Sequence, residues 1–153
     1  MTEPQVASPS TNSDARFTVS TIRVRYSETD QMGFVYHPNY LVWCEIARTD
    51  FMREMGVRYA DLESSGWLLA VIEADIRYLA PARYDEVITV RCQLDRVQSR
   101  SVTFSYQIRR LEPEHRTLAQ ATTKLVALDR AGAPRTLPAD LLTRFRDAAG
   151  SNL

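Results

Sequence analysis

The sequence predicts an α+β fold in which one long helix packs its apolar face on a curled antiparallel sheet. Three observations predict it. A strand pattern over residues 17–26 comes first, a single clean helical pattern follows Pro38, and four segments of strand character then run to Leu128. At 153 residues, 44% of them hydrophobic, the chain has the size of one compact domain.

The elements follow in order. Residues 1–15 carry Pro, Ser, Thr and Asn with few large apolar groups, so they cannot offset the entropy of ordering and are expected to form a disordered tail before a single domain over 16–150. Strand one places Val19, Ile22, Val24 and Tyr26 against Arg23 and Arg25, close to the period of a half-buried strand. In the helix, Tyr40, Cys44, Ala47, Phe51 and Met55 recur at spacings of three or four. Pro38 suits the first helical position and pushes its predecessor out of the helical region, which puts His37 at the N-cap, and Gly56 stops the helix. A short helical turn over 59–64 leads into strands at 67–79, 85–97, 101–111 and 116–128. The second of these alternates Ile88, Val90, Cys92 and Leu94 with polar residues, and the third repeats the pattern with Val102, Phe104, Tyr106 and Ile108. Short polar linkers make a meander of the last three. A final short helix is expected over 138–148. One helix covers little of such a sheet and edge strands remain, so self-association as a homodimer or homotetramer is expected.

Charge and cysteine content exclude several function classes. With 19 Lys+Arg against 19 Asp+Glu the net charge is zero, without the basic excess of a nucleic-acid or anionic-membrane binder. No apolar run of membrane-spanning length and no export signal is present, which points to a soluble cytoplasmic protein. Cys44 and Cys92 stand without CxxC or histidine companions, so neither a zinc site nor a disulfide framework is expected.

The chemistry-bearing cluster is residues 26–40, with Glu28, Asp30, His37 and the tyrosines Tyr26, Tyr36 and Tyr40 in a strand-to-helix connection. Helix N-termini expose unpaired N–H groups at the positive dipole end, so the backbone N–H of His37 can stabilise a developing oxyanion there. Asp30 can face the same carbonyl as nucleophile or general base. The residues alone favour structural roles. Asp30 suits an Asx turn before Gly33, which supplies a positive φ; His37 suits a helix cap; Glu45 and Arg48 suit a solvent-side pair; Tyr36, Tyr40 and Trp43 suit packing; and Cys44 suits the core.

The run Asp30-x-x-Gly33-x-Val35-x-His37-x-x-Tyr40, followed by Glu45-Ile-Ala47-Arg48, resembles the signature of the hotdog-fold thioesterases of the 4-hydroxybenzoyl-CoA thioesterase type, particularly the bacterial short-chain and phenolic acyl-CoA branch. A second matching stretch is Ile76-x-Tyr78-Leu79-x-Pro81-Ala82-Arg83-x-Asp85, and the likeness extends over about 20–140. It implies a five-stranded antiparallel sheet wrapped around one long helix, with short extra helices. It implies hydrolysis of an acyl-CoA to acid and coenzyme A without metal or redox cofactor, coenzyme A being part of the substrate. Asp30 then takes the catalytic carboxylate position and His37 the helix-start donor, with Gly33, Val35, Tyr36, Tyr40 and Glu45 against substrate. The active site falls at a dimer interface to which a second subunit lends residues near 71–77. Gln31-Met32 and Trp43-Cys44 depart from the family pattern and bear on the acyl pocket. Two further functions fit the same fold: a dehydratase or hydratase of acyl thioesters, and a non-catalytic acyl-thioester binding protein.

The neutral total also hides a polarised chain. Eighteen of the cations are arginine, and residues 77–116 hold a surplus of them. Arg91, Arg96 and Arg100 are candidates for the phosphates of coenzyme A, or else outward charges that keep strand edges soluble.

Overall fold

β3 (Val87–Val97) and β4 (Ser101–Glu112) alternate buried and half-buried side chains along most of their length, and around them the rest of the computed structural model is built. It describes residues 14–150; the expected tail over 1–15 therefore lies, but for its last two residues, outside the described residues. With β1 (Phe17–Arg23), β2 (Leu68–Tyr78) and β5 (Arg116–Leu128) they form a five-stranded sheet of order β1-β3-β4-β5-β2, antiparallel at every pairing. The expected meander is β3-β4-β5.

Helix α1 (Asn39–Glu54) lies across β1 and β3 and buries Tyr40, Trp43, Cys44, Ala47, Phe51 and Met52. Its face is thus wider than the sequence stripe, gaining Trp43 and Met52, while Met55 at the helix end is only partly buried. Gly56, at φ +79°, ends it as expected. α2 (Tyr59–Ser64) bridges to β2, and α3 (Ala139–Ala149) closes the core over β3 with Leu141, Leu142 and Phe145. The rings of Phe51 and Phe145 meet Phe104 edge-on at 5.8 and 6.4 Å.

Two local expectations are corrected. β1 stops at Arg23, because Tyr26 opens a 3-10 turn (Tyr26–Glu28), and its inward residues are Thr18 and Ser20 while Phe17 and Val19 face outward. The inward face expected from Ile22 and Val24 is kept, and Val19 falls on the outer side: the inner Ser20 hydroxyl donates to Asp50 of α1 at 2.7 Å, and outside the Arg91 guanidinium covers the Phe17 ring at 3.8 Å. The helix N-cap is Pro38, at φ −65° and ψ −21°, so His37 stands one residue before the cap. Proline's fixed φ already fits the helix there.

Five strands are too broad for one helix. At the edge farthest from α1, β2 leaves Val71, Ile72, Glu73, Ala74 and Asp75 exposed, and α1 leaves Leu41, Val42 and Ile46 exposed.

Candidate active site at the start of α1

The connection between β1 and α1 is held by Glu28, whose side chain is buried against the helix. One carboxylate oxygen accepts the Arg25 backbone N–H at 2.8 Å and the other the Trp43 indole N–H at 2.8 Å. The Glu28 carbonyl accepts the Tyr36 N–H at 2.8 Å and the Asn39 side-chain amide at 2.9 Å. One residue therefore ties both ends of the segment that carries Asp30 and His37. A buried carboxylate with several donors is stable only because each lone pair it uses is matched.

Between those anchors the chain makes a tight turn. Asp30 Oδ1 accepts the Met32 N–H at 2.9 Å and the Asp30 carbonyl accepts the Gly33 N–H at 3.0 Å, with Gly33 at φ +80°. The Asx turn and the positive-φ glycine are both present. Asp30 is half-buried, and its Oδ2 has no hydrogen-bond partner among the described residues. The turn thus fixes the carboxylate with one oxygen and leaves the other free.

The far wall comes from the segment after β2. Val35 N–H donates to the Ala82 carbonyl at 2.9 Å, and the Tyr40 hydroxyl accepts the Ala82 N–H at 3.0 Å. Tyr78, the last residue of β2, donates its hydroxyl to the His37 carbonyl at 2.8 Å. These ties enclose a cleft of about 320 Å³ lined by Asp30, Val35, His37, Tyr40 and Tyr78, with Leu79, Ala80 and Pro81 on one side and Met32 and Phe34 on the other. The backbone N–H of His37 donates to no acceptor among the described residues. Burial raises the hydroxyl pKa of Tyr40 and of Tyr78 above 10.0, so both stay protonated near neutrality.

Asp30, Val35, His37 and Tyr40, singled out in the sequence, meet in this cleft. Gly33 shapes the turn beside it. Tyr36 is exposed, with its ring 5.0 Å from that of His37. Glu45 faces solvent on α1, and the anticipated pair with Arg48 is absent: Arg48 turns inward and donates to the Tyr106 hydroxyl at 3.1 Å. Tyr106 is in turn hydrogen-bonded to Thr123 at 2.7 Å. Arg91 stacks on Phe17 on the outer sheet face, and Arg96 and Arg100 sit at the β3–β4 turn, the opposite end of the sheet from the cleft. Cys44 is fully buried and burial pushes its thiol up to about 12, which makes it a core residue without nucleophilic character. Glu28 and Tyr78 were not among the site residues read from sequence. The signal for Glu28 was an acid inside a cluster otherwise bound for the helix; Tyr78 stood in the second matching stretch.

The chain and its fold have counterparts among known proteins. A family model described as the thioesterase-like superfamily matches residues 24–145. YneP of Bacillus subtilis is 37% identical over 109 residues, 71% of this chain and 78% of that protein. An acyl-CoA thioester hydrolase, YbgC of Escherichia coli O157:H7, is 29% identical over 82% of this chain and 92% of its own length. Among solved structures, the DHNA-CoA thioesterase of Staphylococcus aureus superposes with a TM-score of 0.80 at 27% identity, covering 84% of this chain and 88% of that one. The five-stranded antiparallel sheet with its packed helix is the hotdog fold, and the chain belongs to the thioesterase-like superfamily.

Proposed function

We propose that the protein hydrolyses an acyl-CoA thioester to the free acid and coenzyme A at the cleft before α1. The observation that carries this reading is that one hollow is lined both by Asp30, with a carboxylate oxygen free of partners, and by His37, with a free backbone N–H at the helix start. The relatives named for acyl-CoA thioester hydrolysis support the reaction class.

In this scheme the thioester carbonyl oxygen rests on the His37 N–H, beside the positive end of the α1 dipole. Asp30 either attacks the carbonyl carbon, forming an acyl anhydride that water then opens, or takes a proton from a water that attacks. In both routes the C–S bond breaks with its electron pair leaving on sulfur, and water supplies the acid's oxygen. A coenzyme A thiolate is a good enough leaving group to depart without an obligatory acid, so the His37 imidazole has an accessory part. The scheme uses no metal and no redox cofactor.

The working unit is a dimer formed through β2. Its free edge, with Val71 and Ile72 exposed, is of the kind that pairs with a second copy. Leu68 pairs with Leu128 and Ser101 with Val126, whereas Tyr78 pairs with Ala119, so the β3–β4 turn and the cleft lie at opposite ends of the sheet. Antiparallel β2–β2 pairing then brings the turn of a second copy, with Arg96 and Arg100, towards the cleft, a route by which these arginines reach coenzyme A phosphates. The two buried, unpaired cysteines agree with a reducing cytoplasm.

Free-thiol release over a panel of aromatic and short aliphatic acyl-CoA esters tests the reading. Turnover of at least one ester is expected. Tight binding of an acyl-CoA without release would move the protein to the thioester-binding class.

A further inference from the structure

We propose that the Tyr78 hydroxyl is a positioning group for the reaction: it holds the His37 segment so that the free His37 N–H stays fixed at the cleft. This rests on the hydrolase reading above. Three peptide groups surround that N–H. The preceding one is tethered by the Tyr36 N–H to the Glu28 carbonyl at 2.8 Å. The one carrying the His37 N–H is held by its carbonyl, that of Tyr36, which accepts the Asn39 N–H at 3.0 Å. The next peptide joins His37 to Pro38 and has no N–H, so the His37 carbonyl is its sole hydrogen-bonding handle. That carbonyl accepts a long 3.3 Å bond from the Tyr40 N–H and a 2.8 Å bond from the Tyr78 hydroxyl.

Tyr78 therefore makes the shorter of the two bonds that fix the helix-side end of the donor segment, and it comes from another element. Its ring sits edge-on to those of Tyr40 and His37, at 5.1 and 6.2 Å, which restricts where the hydroxyl can go. Without the hydroxyl, the last peptide before the helix is held by a weak bond alone. A donor that wanders by a fraction of an ångström loses most of its value to a transition-state oxyanion, whereas ground-state binding changes little.

Steady-state thiol release by Tyr78→Phe tests this, since the change removes one atom from a side chain that is 41% exposed. The expected result is a kcat lowered about tenfold with KM within about twofold, a pH–rate profile of unchanged shape and an unshifted Tm. Tyr78→Leu, which also removes the ring, is expected to lose at least as much. An active wild type with an equally active Tyr78→Phe overturns the inference alone. So does a rise in KM at constant kcat, which marks a substrate contact, or loss of the alkaline limb of the profile, which marks a proton donor. A wild type that releases no thiol overturns the hydrolase reading, and this inference with it.

Discussion

The two halves of the sheet solve the burial problem differently. Beneath α1 and α3, β3 and β4 bury Ile88, Val90, Cys92, Leu94, Val102, Phe104, Tyr106 and Ile108 within a single chain. At the other edge, β2 spends most of its length exposed, and only its last residue, Tyr78, reaches back to the site. The first half is a self-sufficient core. The second leaves Val71, Ile72, Glu73, Ala74 and Asp75 exposed in the single chain, and under the proposed β2 dimer this is where assembly would meet catalysis.

The contrast is sharpest where each half is damaged. Phe104 is fully buried among Phe51, Phe145 and Tyr106, so Phe104→Ala should cost about 3–5 kcal/mol of stability, read by chemical denaturation, with activity lost only as the fold is lost. Glu28→Ala should be intermediate, costing about 1–3 kcal/mol because the Trp43 indole and the Arg25 N–H both lose their acceptor. In this variant kcat should fall even where the protein is fully folded, since the segment carrying Asp30 loses its side-chain anchors to Arg25 and Trp43 and keeps only the bonds of the Glu28 carbonyl to Tyr36 and Asn39.

Val71→Asp probes the other half. Its exposed position should leave the single-chain core intact while weakening self-association by about thirtyfold, equivalent to about 2 kcal/mol. Sedimentation should report the dissociation, and activity should follow the dimer fraction. If the variant stays fully dimeric, the β2 interface is wrong.

The smallest effect concerns pH. The Cys44 thiol has its pKa raised by burial from 9.0 to about 12, so the folded state holds that proton more tightly than the unfolded chain. Its contribution to stability is complete below pH 9 and declines as pH rises from 9 to 12. Tm should drop across that window, less steeply in Cys44→Ala, and iodoacetamide should leave Cys44 unmodified in the folded protein at pH 8.

How far the sequence was legible depended on how local the cause was. The helix, the three-stranded meander and the Gly33 and Gly56 turns were readable because periodicity and positive φ are properties of neighbouring residues. The outward place of Val19 was not, since its neighbour Ser20 takes the inner face to reach Asp50, thirty residues away. Arg48 escaped for the same reason: its acceptor, Tyr106, lies on β4. Asp30 and His37 were both singled out as residues, and the structure adds that they line one cleft. The clamp by Glu28 and the tether by Tyr78 depend on contacts across 15 and 41 residues, which no spacing rule encodes.

The central claim is that Asp30 carries the chemistry at this cleft. Thiol release by Asp30→Asn, compared with the wild type on an ester the wild type hydrolyses, tests it most directly. The substitution keeps the side-chain oxygen that accepts the Met32 N–H, so Tm and oligomeric state should be preserved while kcat falls by at least about a hundredfold. A folded Asp30→Asn variant that releases thiol at near the wild-type rate would contradict the account.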